Sequence, residues 1–327
     1  MANILITGGA GFIGFHLSKY LSNFDNIVTI ADDLSRGKFD EDLNNLLKLK
    51  NVSFKKIDLT NYAEYETLDS NFDFAYHLAA VNGTKYFYEM PEKLMRINIL
   101  TTLNFLEWVT KTKCKNVMFS SSSEAYAGTI SRYKEKIPTP EDIPLCIEDI
   151  FNPRFSYGGS KIAGELLFVN YAKKFQLRAK IVRFHNIYGP RMGYEHVIPE
   201  FCSRILRNEN PFKIYGGHQT RAFCYVDDAV HAIRSIMEKS DNSIEIFHVG
   251  NDLEEISIND LADKMFQVTQ YFPKKEIENA PEGSISRRCP SIEKLRSKLN
   301  YKPQVLLVEG LKKTFDWYKS VYEKNPK

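Results

Sequence analysis

The sequence has little of what would indicate disulfides or metal sites. It contains five cysteines, an odd and widely spaced set with no CxxC pair, which is typical of free thiols in a reducing compartment. They are Cys114, Cys146, Cys202, Cys224 and Cys289. The seven histidines form no HExxH motif and no close pair, so we predict no metal.

Long apolar runs and an excess of one charge are also missing. No stretch approaches the roughly eighteen uninterrupted apolar residues of a membrane span. The net charge is only +3 and no basic run is flanked by aromatic residues, so nucleic acid is not an expected partner. The first residues, MANILITGG, have no cationic region before an apolar stretch, so we expect no signal peptide and a cytoplasmic location.

Short apolar runs alternate with stretches of helical periodicity over most of the chain. Strands are predicted at 2–7, 27–31, 52–57, 72–78, 116–119, 178–184 and 244–249. Helices are predicted at 12–21, 93–111, 160–175, 226–239 and 308–322. This alternation predicts an α/β fold with a parallel sheet covered on both faces, in which ligands bind beyond the carboxyl ends of the strands.

Glycines at every third position join the first strand to the first helix. Gly8, Gly11 and Gly14 allow a tight turn and let a pyrophosphate approach the helix amino terminus. Asp32 follows the second strand, where a carboxylate accepts hydrogen bonds from an adenosine ribose. The same carboxylate repels a 2′-phosphate, so we expect NAD rather than NADP, although Arg36 lies close enough to weaken that preference.

A tyrosine and a lysine four residues apart indicate acid–base chemistry. Tyr157 and Lys161 share one face of a predicted helix. A free tyrosine has a pKa near 10, but an adjacent ammonium and an oxidised nicotinamide both stabilise phenolate. Tyr157 is therefore predicted to take a proton from a sugar hydroxyl while hydride leaves to the nicotinamide.

Six motifs together carry a family resemblance over nearly the whole chain. They are TGGAGFIG at 7–14, ADDLS at 31–35, HLAA at 77–80, SSSEAY at 121–126, YGGSK at 157–161 and NIYGPRM at 186–192. The chain resembles the extended short-chain dehydrogenases/reductases, which are NAD-dependent nucleotide-sugar epimerases, dehydratases and decarboxylases. The resemblance implies a Rossmann-type doubly wound parallel sheet with a smaller α/β substrate-binding cap.

The resemblance also implies a domain division, a dimer and a set of site residues. The NAD domain would comprise 1–184 and 222–249, the cap would comprise 185–221 and 250–327, and two copies would pair through helices 93–111 and 160–175. The implied cofactor-binding residues are Gly8, Gly11, Phe12, Ile13, Gly14, Asp32, Asp33, Ser35, Asp58, Leu59, Leu78, Ala79, Ala80, Tyr157 and Lys161. The implied catalytic residues are Ser122, Ser123, Glu124, Tyr157 and Lys161, and the implied nucleotide-sugar ligands are Asn186, His196, Val197, Arg221 and Arg288.

The residues around Ser122 bear on which reaction is catalysed. Ser122-Ser123-Glu124 resembles the Thr-Ser-Glu of GDP-mannose-type 4,6-dehydratases, in which a glutamate removes the C5 proton of a 4-keto sugar before water leaves C6. We therefore expect a 4,6-dehydratase acting on a GDP-hexose such as GDP-N-acetylglucosamine. Ser123 stands where glucose-type dehydratases have an aspartate, which leaves the acid for water loss open.

Three alternatives remain open. A UDP-glucuronate-type decarboxylase is similar at Ser-Glu-x-Tyr, YGPRM and QTRAFCYVDD, although it usually has arginine at the position of Ile162. A nucleotide-sugar 4-epimerase usually has an apolar residue at the position of Glu124. A dinucleotide-sensing scaffold without enzymatic activity often loses the tyrosine or lysine, and both are present here.

Overall fold

The computed structural model describes residues 1–133, 136–241, 244–280 and 284–324. The strands are β1 (Asn3–Thr7), β2 (Ile27–Asp32), β3 (Val52–Lys56), β4 (Phe74–His77), β5 (Asn116–Ser122), β6 (Arg178–Phe184), β7 (Ile187–Tyr188), β8 (Phe212–Tyr215), β9 (Thr220–Ala222), β10 (Cys224–Tyr225), β11 (Glu245–Val249), β12 (Glu255–Ser257), β13 (Lys275–Glu278) and β14 (Arg287–Arg288). The α-helices are α1 (Phe12–Ser22), α2 (Glu41–Leu46), α3 (Thr84–Glu89), α4 (Pro91–Val109), α5 (Ala127–Tyr133), α6 (Phe155–Phe175), α7 (Val197–Leu206), α8 (Val226–Lys239), α9 (Ile258–Thr269), α10 (Glu293–Leu299) and α11 (Leu307–Lys324). Short 3₁₀ helices cover Tyr62–Thr67 and Ser123–Tyr126.

Seven strands form the central sheet, and every neighbouring pair in it is parallel. Their order is β11-β6-β5-β4-β1-β2-β3. From β1 the chain runs outward to β3 and then returns to place β4 on the other side of β1. The predicted doubly wound parallel sheet is thereby confirmed, and its switch point lies between β1 and β4, where such sheets bind ligands.

The sheet separates two hydrophobic cores because successive side chains of a strand point to opposite faces. On one face, Ile4 and Ile6 of β1 belong to the same core as Leu17 and Leu21 of α1. On the other face, Leu5 of β1 belongs to the second core. That core also contains Phe105 and Val109 of α4 and Phe168 and Ala172 of α6. The near-continuous apolar strands in the sequence follow from this burial on both faces.

Helix α6 begins earlier than the sequence predicts. The expected start was residue 160, but the helix begins at Phe155, so that Tyr157 and Lys161 both lie inside it. The reason is the packing of Gly158, whose absent Cβ would lie 2.6 Å from the Glu124 carbonyl oxygen. Glycine normally weakens a helix, but here it allows α6 to approach the 3₁₀ helix that carries Glu124.

The remaining strands form three small sheets outside the central one. They pair as β7 with β10, as β12-β9-β14, and as β8 with β13. Helix α11 packs against α7 and α9. The proposed boundaries between an NAD domain and a cap stay a prediction, as does the homodimer through α4 and α6.

Two expectations about composition can be compared with the structure directly. All five cysteines are free thiols, as their spacing predicted. Within the described part of the chain, no helix has both the length and the apolar character that crossing a membrane requires.

Two glycines of α6 give a matched test of how tightly this helix packs. Gly164→Ala would drive a Cβ into the Phe119 ring of β5, so we expect chemical denaturation to show a loss of about 1–3 kcal/mol of unfolding free energy. Gly159→Ala is the control, since its Cβ would meet only Met95 Cε at 3.8 Å and Ile147 Cδ1 at 3.9 Å. The control should stabilise the helix by up to about 1 kcal/mol. Equal stability of the two variants would contradict this packing.

Candidate active site

One cavity of about 980 Å³ opens beyond the carboxyl ends of the central strands. Every predicted catalytic and cofactor-binding residue lines it, namely Gly8, Gly11, Phe12, Ile13, Gly14, Asp32, Asp33, Ser35, Asp58, Leu59, Leu78, Ala79, Ala80, Ser122, Ser123, Glu124, Tyr157 and Lys161. Four of the five predicted nucleotide-sugar ligands line it as well, namely Asn186, His196, Arg221 and Arg288. Residues far apart in the sequence therefore meet in one space.

Val197 is the predicted ligand that does not line this cavity. It is the first residue of α7, and its side chain packs against the larger hydrophobic core. His196, which precedes it as the N-cap of α7, has an extended backbone and does line the cavity. The change of backbone direction at the helix start therefore turns the two neighbours to different surroundings, which the motif alone did not reveal.

The glycine turn after β1 leaves no room for side chains. Gly8 has a φ of +71°, and a Cβ on it would lie 2.6 Å from the Ala79 backbone nitrogen. A Cβ on Gly14 would collide with the Gly8 carbonyl oxygen. Gly11 is the N-cap of α1, so free backbone N–H groups at this helix end face the cavity. The turn is thus a cradle that suits a pyrophosphate.

Asp32 ends β2 beside this cradle and orders the next loop. Its carboxylate accepts hydrogen bonds from the backbone N–H groups of Ala10, at 3.1 Å, and Leu34, at 2.8 Å. Burial raises the pKa of Asp32, and these two hydrogen bonds oppose the rise. A carboxylate has about four acceptor positions, so Asp32 retains capacity for ribose hydroxyls. The cradle and this carboxylate together fit an NAD molecule.

Arg191 is a cavity residue whose role the sequence did not predict. It bonds Asp40 through two nitrogens, with Nε–Oδ2 at 2.9 Å and Nη2–Oδ1 at 3.0 Å. It also stacks on the Phe15 ring at 4.0 Å. Its Nη1 is buried without a partner among the described residues, which leaves a cationic donor near the cradle. Only its place in the NIYGPRM motif could have indicated it.

Lys161 is buried beneath the cavity and bonded to the end of β5. Its ammonium donates a hydrogen bond to the Ser120 carbonyl oxygen at 2.7 Å. Burial lowers the pKa of Lys161 to about 7, and the nearby Glu165 carboxylate opposes that fall. Lys161 Nζ lies 5.5 Å from the centre of the Tyr157 ring. The lysine is thus close enough to influence the tyrosine electrostatically.

Tyr157 lies between a hydrophobic ring and the Ser122 hydroxyl. Its ring stacks on Phe87 with centroids 5.2 Å apart and planes at 13°. Burial raises the pKa of Tyr157 and the charge of Glu124 adds to the rise, whereas a hydrogen bond with Ser122 opposes it. Without a bound cation the tyrosine is therefore a phenol. A positive ring placed beside it would shift the balance toward phenolate.

Glu124 begins the opposite end of the reactive cluster and is paired with two arginines. Its Oε1 lies 2.8 Å from Arg288 Nη1 and 3.6 Å from Arg154 Nη2. Burial alone would raise the pKa of Glu124, but the two guanidinium groups outweigh it and lower the pKa below its usual value. Glu124 is therefore an anion in the resting site. Ser122 supports it by accepting a hydrogen bond from the Glu124 backbone N–H at 3.2 Å.

Arg154 was also missed by the sequence reading. It is the N-cap of α6, three residues before Tyr157, so both side chains lie along the same helix face and line the cavity. Arg154 Nε and Arg288 Nη2 are both buried without a hydrogen-bond partner in the described ranges. The only sequence signal was an arginine one helical turn before the YxxxK pair.

Arg221 and Asn186 are held by backbone groups rather than by carboxylates. Arg221 donates to the carbonyl oxygens of Thr220 and Ile285, each at 2.7 Å. Burial and the charge of Arg288 lower the pKa of Arg221 to about 9, so it stays cationic at neutral pH. Asn186 Nδ2 donates to the Ala222 carbonyl oxygen at 3.1 Å. A pre-positioned guanidinium without a carboxylate partner suits a phosphate group.

Metal ligands are not grouped anywhere in the described residues, since no cluster of three or more His, Cys, Asp or Glu side chains occurs there. The polar groups of the cavity are instead arginines, carboxylates, hydroxyls and backbone amides. Such a set binds phosphates, carboxylates and sugar hydroxyls.

Comparisons with known proteins agree with this geometry. The sequence model of the NAD dependent epimerase/dehydratase family matches residues 4–250. The UDP-N-acetyl-alpha-D-glucosaminuronate decarboxylase of Bacillus cytotoxicus is 34% identical, over 97% of this chain and 98% of the relative. The dTDP-D-glucose 4,6-dehydratase of Dictyostelium discoideum is 30% identical, over 97% of this chain and 81% of the relative.

A solved structure extends the likeness to three dimensions. The UDP-glucuronic acid 4-epimerase from Bacillus cereus, in complex with UDP-glucuronic acid and NAD, matches with a TM-score of 0.85 and 27% identity. The match covers 98% of this chain and all of the other, 100%. With the glycine cradle, the buried tyrosine–lysine pair and the family match over most of its length, this chain belongs to the NAD-dependent epimerase/dehydratase family of short-chain dehydrogenase/reductase enzymes that act on nucleotide-sugars, and its cofactor is NAD.

Proposed function

We propose that the chain is a UDP-uronate decarboxylase, which oxidises C4 of a UDP-linked uronic acid and releases its carboxyl group as carbon dioxide. The observation that carries the proposal is the cationic end of the cavity. Arg154 and Arg288 share a single carboxylate, Glu124, and each retains a buried guanidinium nitrogen without a partner in the described residues. The names of the relatives support it, because the Bacillus cytotoxicus relative is a decarboxylase of a UDP-uronate.

The first step would be carried by Tyr157, Lys161 and Ser122. NAD⁺ supplies the redox chemistry by accepting a hydride and later returning it. Tyr157, as phenolate, takes the proton of the C4 hydroxyl, and the Ser122 hydroxyl holds the C4 oxygen in place. Lys161 stabilises the phenolate through its charge. The product of this step is a 4-keto sugar.

The next step depends on what is attached to C5. In a uronic acid the C6 carboxylate is then β to a ketone, so the C5–C6 bond breaks with its electron pair moving toward the C4 oxygen. Carbon dioxide leaves, and the resulting enolate takes up a proton at C5. No base is needed to remove a proton from C5. The net change is loss of carbon dioxide and gain of one proton, with the C4 hydroxyl restored.

Charge balance favours a substrate with a carboxylate. A uronate beside Glu124 makes two carboxylates facing two guanidinium groups, Arg154 and Arg288, whereas a neutral hexose leaves an uncompensated buried cation. Buried charges are costly unless they are paired and hydrogen-bonded. Arg221, farther along the same cavity, would bind the diphosphate.

A 4,6-dehydratase of a GDP-hexose such as GDP-N-acetylglucosamine is the second candidate. The placement of the Glu124 carboxylate beside Tyr157 supports it, since dehydration needs a base near C5. Two features weigh against it. The two arginines lower the pKa of Glu124 and so make it a weaker base, and Ser123 offers a hydroxyl where a stronger acid would help water to leave.

A substrate panel tests the proposal directly. Purified protein would be incubated with UDP-glucuronate, UDP-N-acetylglucosaminuronate, UDP-glucose, dTDP-glucose and GDP-N-acetylglucosamine, and the products would be analysed by mass spectrometry. We expect loss of carbon dioxide from a UDP-uronate. Loss of water from a hexose would favour the dehydratase instead. An unchanged mass with inversion at C4 would identify a 4-epimerase and reject decarboxylation.

Removing the phenol should abolish the oxidation at C4. For Tyr157→Phe we expect kcat to fall about 100- to 10,000-fold, because no group remains to accept the hydroxyl proton. Nicotinamide absorbance in single-turnover mixing with UDP-glucuronate measures the step. Tyr133→Phe, on the exposed end of α5, is the control and should behave as wild type. Normal cofactor reduction by Tyr157→Phe would reject this tyrosine as the base.

Two arginine variants separate recognition of the sugar carboxylate from recognition of the diphosphate. Arg154→Met should weaken UDP-glucuronate binding about 10- to 100-fold, the effect of losing a charge-assisted hydrogen bond, with little change in the Kd of UDP. Arg221→Met should weaken both ligands. Titration calorimetry with the two ligands gives the comparison. If Arg154→Met binds UDP-glucuronate as tightly as wild type does, Arg154 does not bind the uronate.

A further inference from the structure

A buried ion pair lies directly behind the reactive lysine. Glu165 follows Lys161 by one turn of α6 and is only 4% exposed. Arg183 of β6 is 2% exposed and bonds both carboxylate oxygens of Glu165, with Nε–Oε1 and Nη2–Oε2 each at 2.8 Å. The Ser121 hydroxyl donates a third hydrogen bond to Glu165 Oε1 at 2.5 Å. None of these three side chains takes part in the chemistry proposed above.

This pair joins α6 to two neighbouring strands at their carboxyl ends. Ser121 of β5 and Arg183 of β6 are partners in the parallel register of the sheet, and Glu165 bonds both. Arg183 is anchored further by donating from Nη1 to the Glu141 carbonyl oxygen at 2.9 Å. A bidentate, fully hydrogen-bonded pair is geometrically specific. It therefore sets how far along the strands α6 can lie.

We propose that Glu165 is a positioning residue for the reaction: its ion pair with Arg183 and its bond to Ser121 hold Tyr157 and Lys161 against the end of β5, and its carboxylate keeps Lys161 an ammonium. Lys161 is bonded to the Ser120 carbonyl, and Tyr157 is in contact with Ser122. Together with the Ser121 bond, α6 thus meets β5 at three consecutive serines.

The charged and titratable groups around Lys161 support the electrostatic part of this role. Glu165 and Tyr157 lie on its own helix, Arg183 on β6, His77 on β4 and Glu124 on the 3₁₀ helix. Burial lowers the pKa of His77 to about 3, so it is neutral. Burial lowers the pKa of Lys161, and Glu165 is the charge that acts against this. The charge of Arg183 is spent on Glu165 itself.

The test measures the protonation of Lys161 without using a sugar substrate. Protein labelled with ¹³C-lysine is saturated with NAD⁺, and the Lys161 ¹³Cε resonance, assigned by its loss in Lys161→Met, is titrated with pH by NMR. In Glu165→Gln we expect the midpoint to fall by about one pH unit, since the ammonium loses its nearest counter-charge. The result does not depend on which substrate the enzyme uses.

Two further variants separate this role from simple stabilisation. Glu165→Gln/Arg183→Met removes both charges, so it should recover part of the melting temperature lost in Glu165→Gln while keeping the lowered Lys161 midpoint. It also decides the matter if Glu165→Gln does not fold. Glu245→Gln breaks another buried ion pair, with Lys180 at 3.2 Å, and should lower the melting temperature without moving the Lys161 midpoint. An unchanged midpoint in both Glu165 variants would overturn the proposal.

Discussion

Helix α6 carries both Tyr157 and Lys161, so the chemistry depends on how this helix is attached to the end of β5. Three successive serines make the attachment: the Ser120 carbonyl accepts from Lys161, the Ser121 hydroxyl donates to Glu165, and the Ser122 hydroxyl contacts Tyr157. Gly158 and Gly164 permit the close approach that these bonds require. A helix held at one point could rotate or slide, whereas one held at three points over more than two turns cannot do so without breaking buried polar bonds, which is costly.

The same attachment determines the electrostatics of the cavity. Burial makes Lys161 easier to deprotonate and Tyr157 harder to ionise, and each change opposes the protonation state that proton abstraction needs. The opposing influences are Glu165 behind the lysine, Ser122 beside the phenol and the cationic nicotinamide that NAD⁺ brings. A base that forms only with oxidised cofactor present is useful, because the tyrosine is then inactive whenever no hydride acceptor is bound. Enzymes commonly tune such groups through burial and neighbouring charge.

Local motifs predicted the parts of the site that lie on one stretch of chain. The glycine turn, Asp32 and the Tyr157–Lys161 pair were all legible because their geometry follows from a strand end or a helix face. The sequence reading missed Arg154, the Glu165–Arg183 pair and the true start of α6, since each depends on a contact between residues distant in the chain. Val197 shows the opposite error: its neighbour His196 faces the cavity, but helix geometry turns Val197 to the core. Charge partners in particular carry no local pattern that marks them in advance.

The charges at the sugar end account for how related enzymes can share a first step and then diverge. Oxidation at C4 makes both the C5–H bond and the C5–C6 bond easier to break, and the surrounding groups determine which one breaks. A carboxylate with a raised pKa would be the stronger base toward C5–H, but Glu124 is held as a weakly basic anion by Arg288 and Arg154. Those same guanidinium groups retain donors that a C6 carboxylate can satisfy. The arrangement therefore weakens the route through proton removal while providing a binding site for the substrate that does not need it, and this is why the balance of charge around Glu124, rather than the YxxxK pair, distinguishes between the candidate reactions.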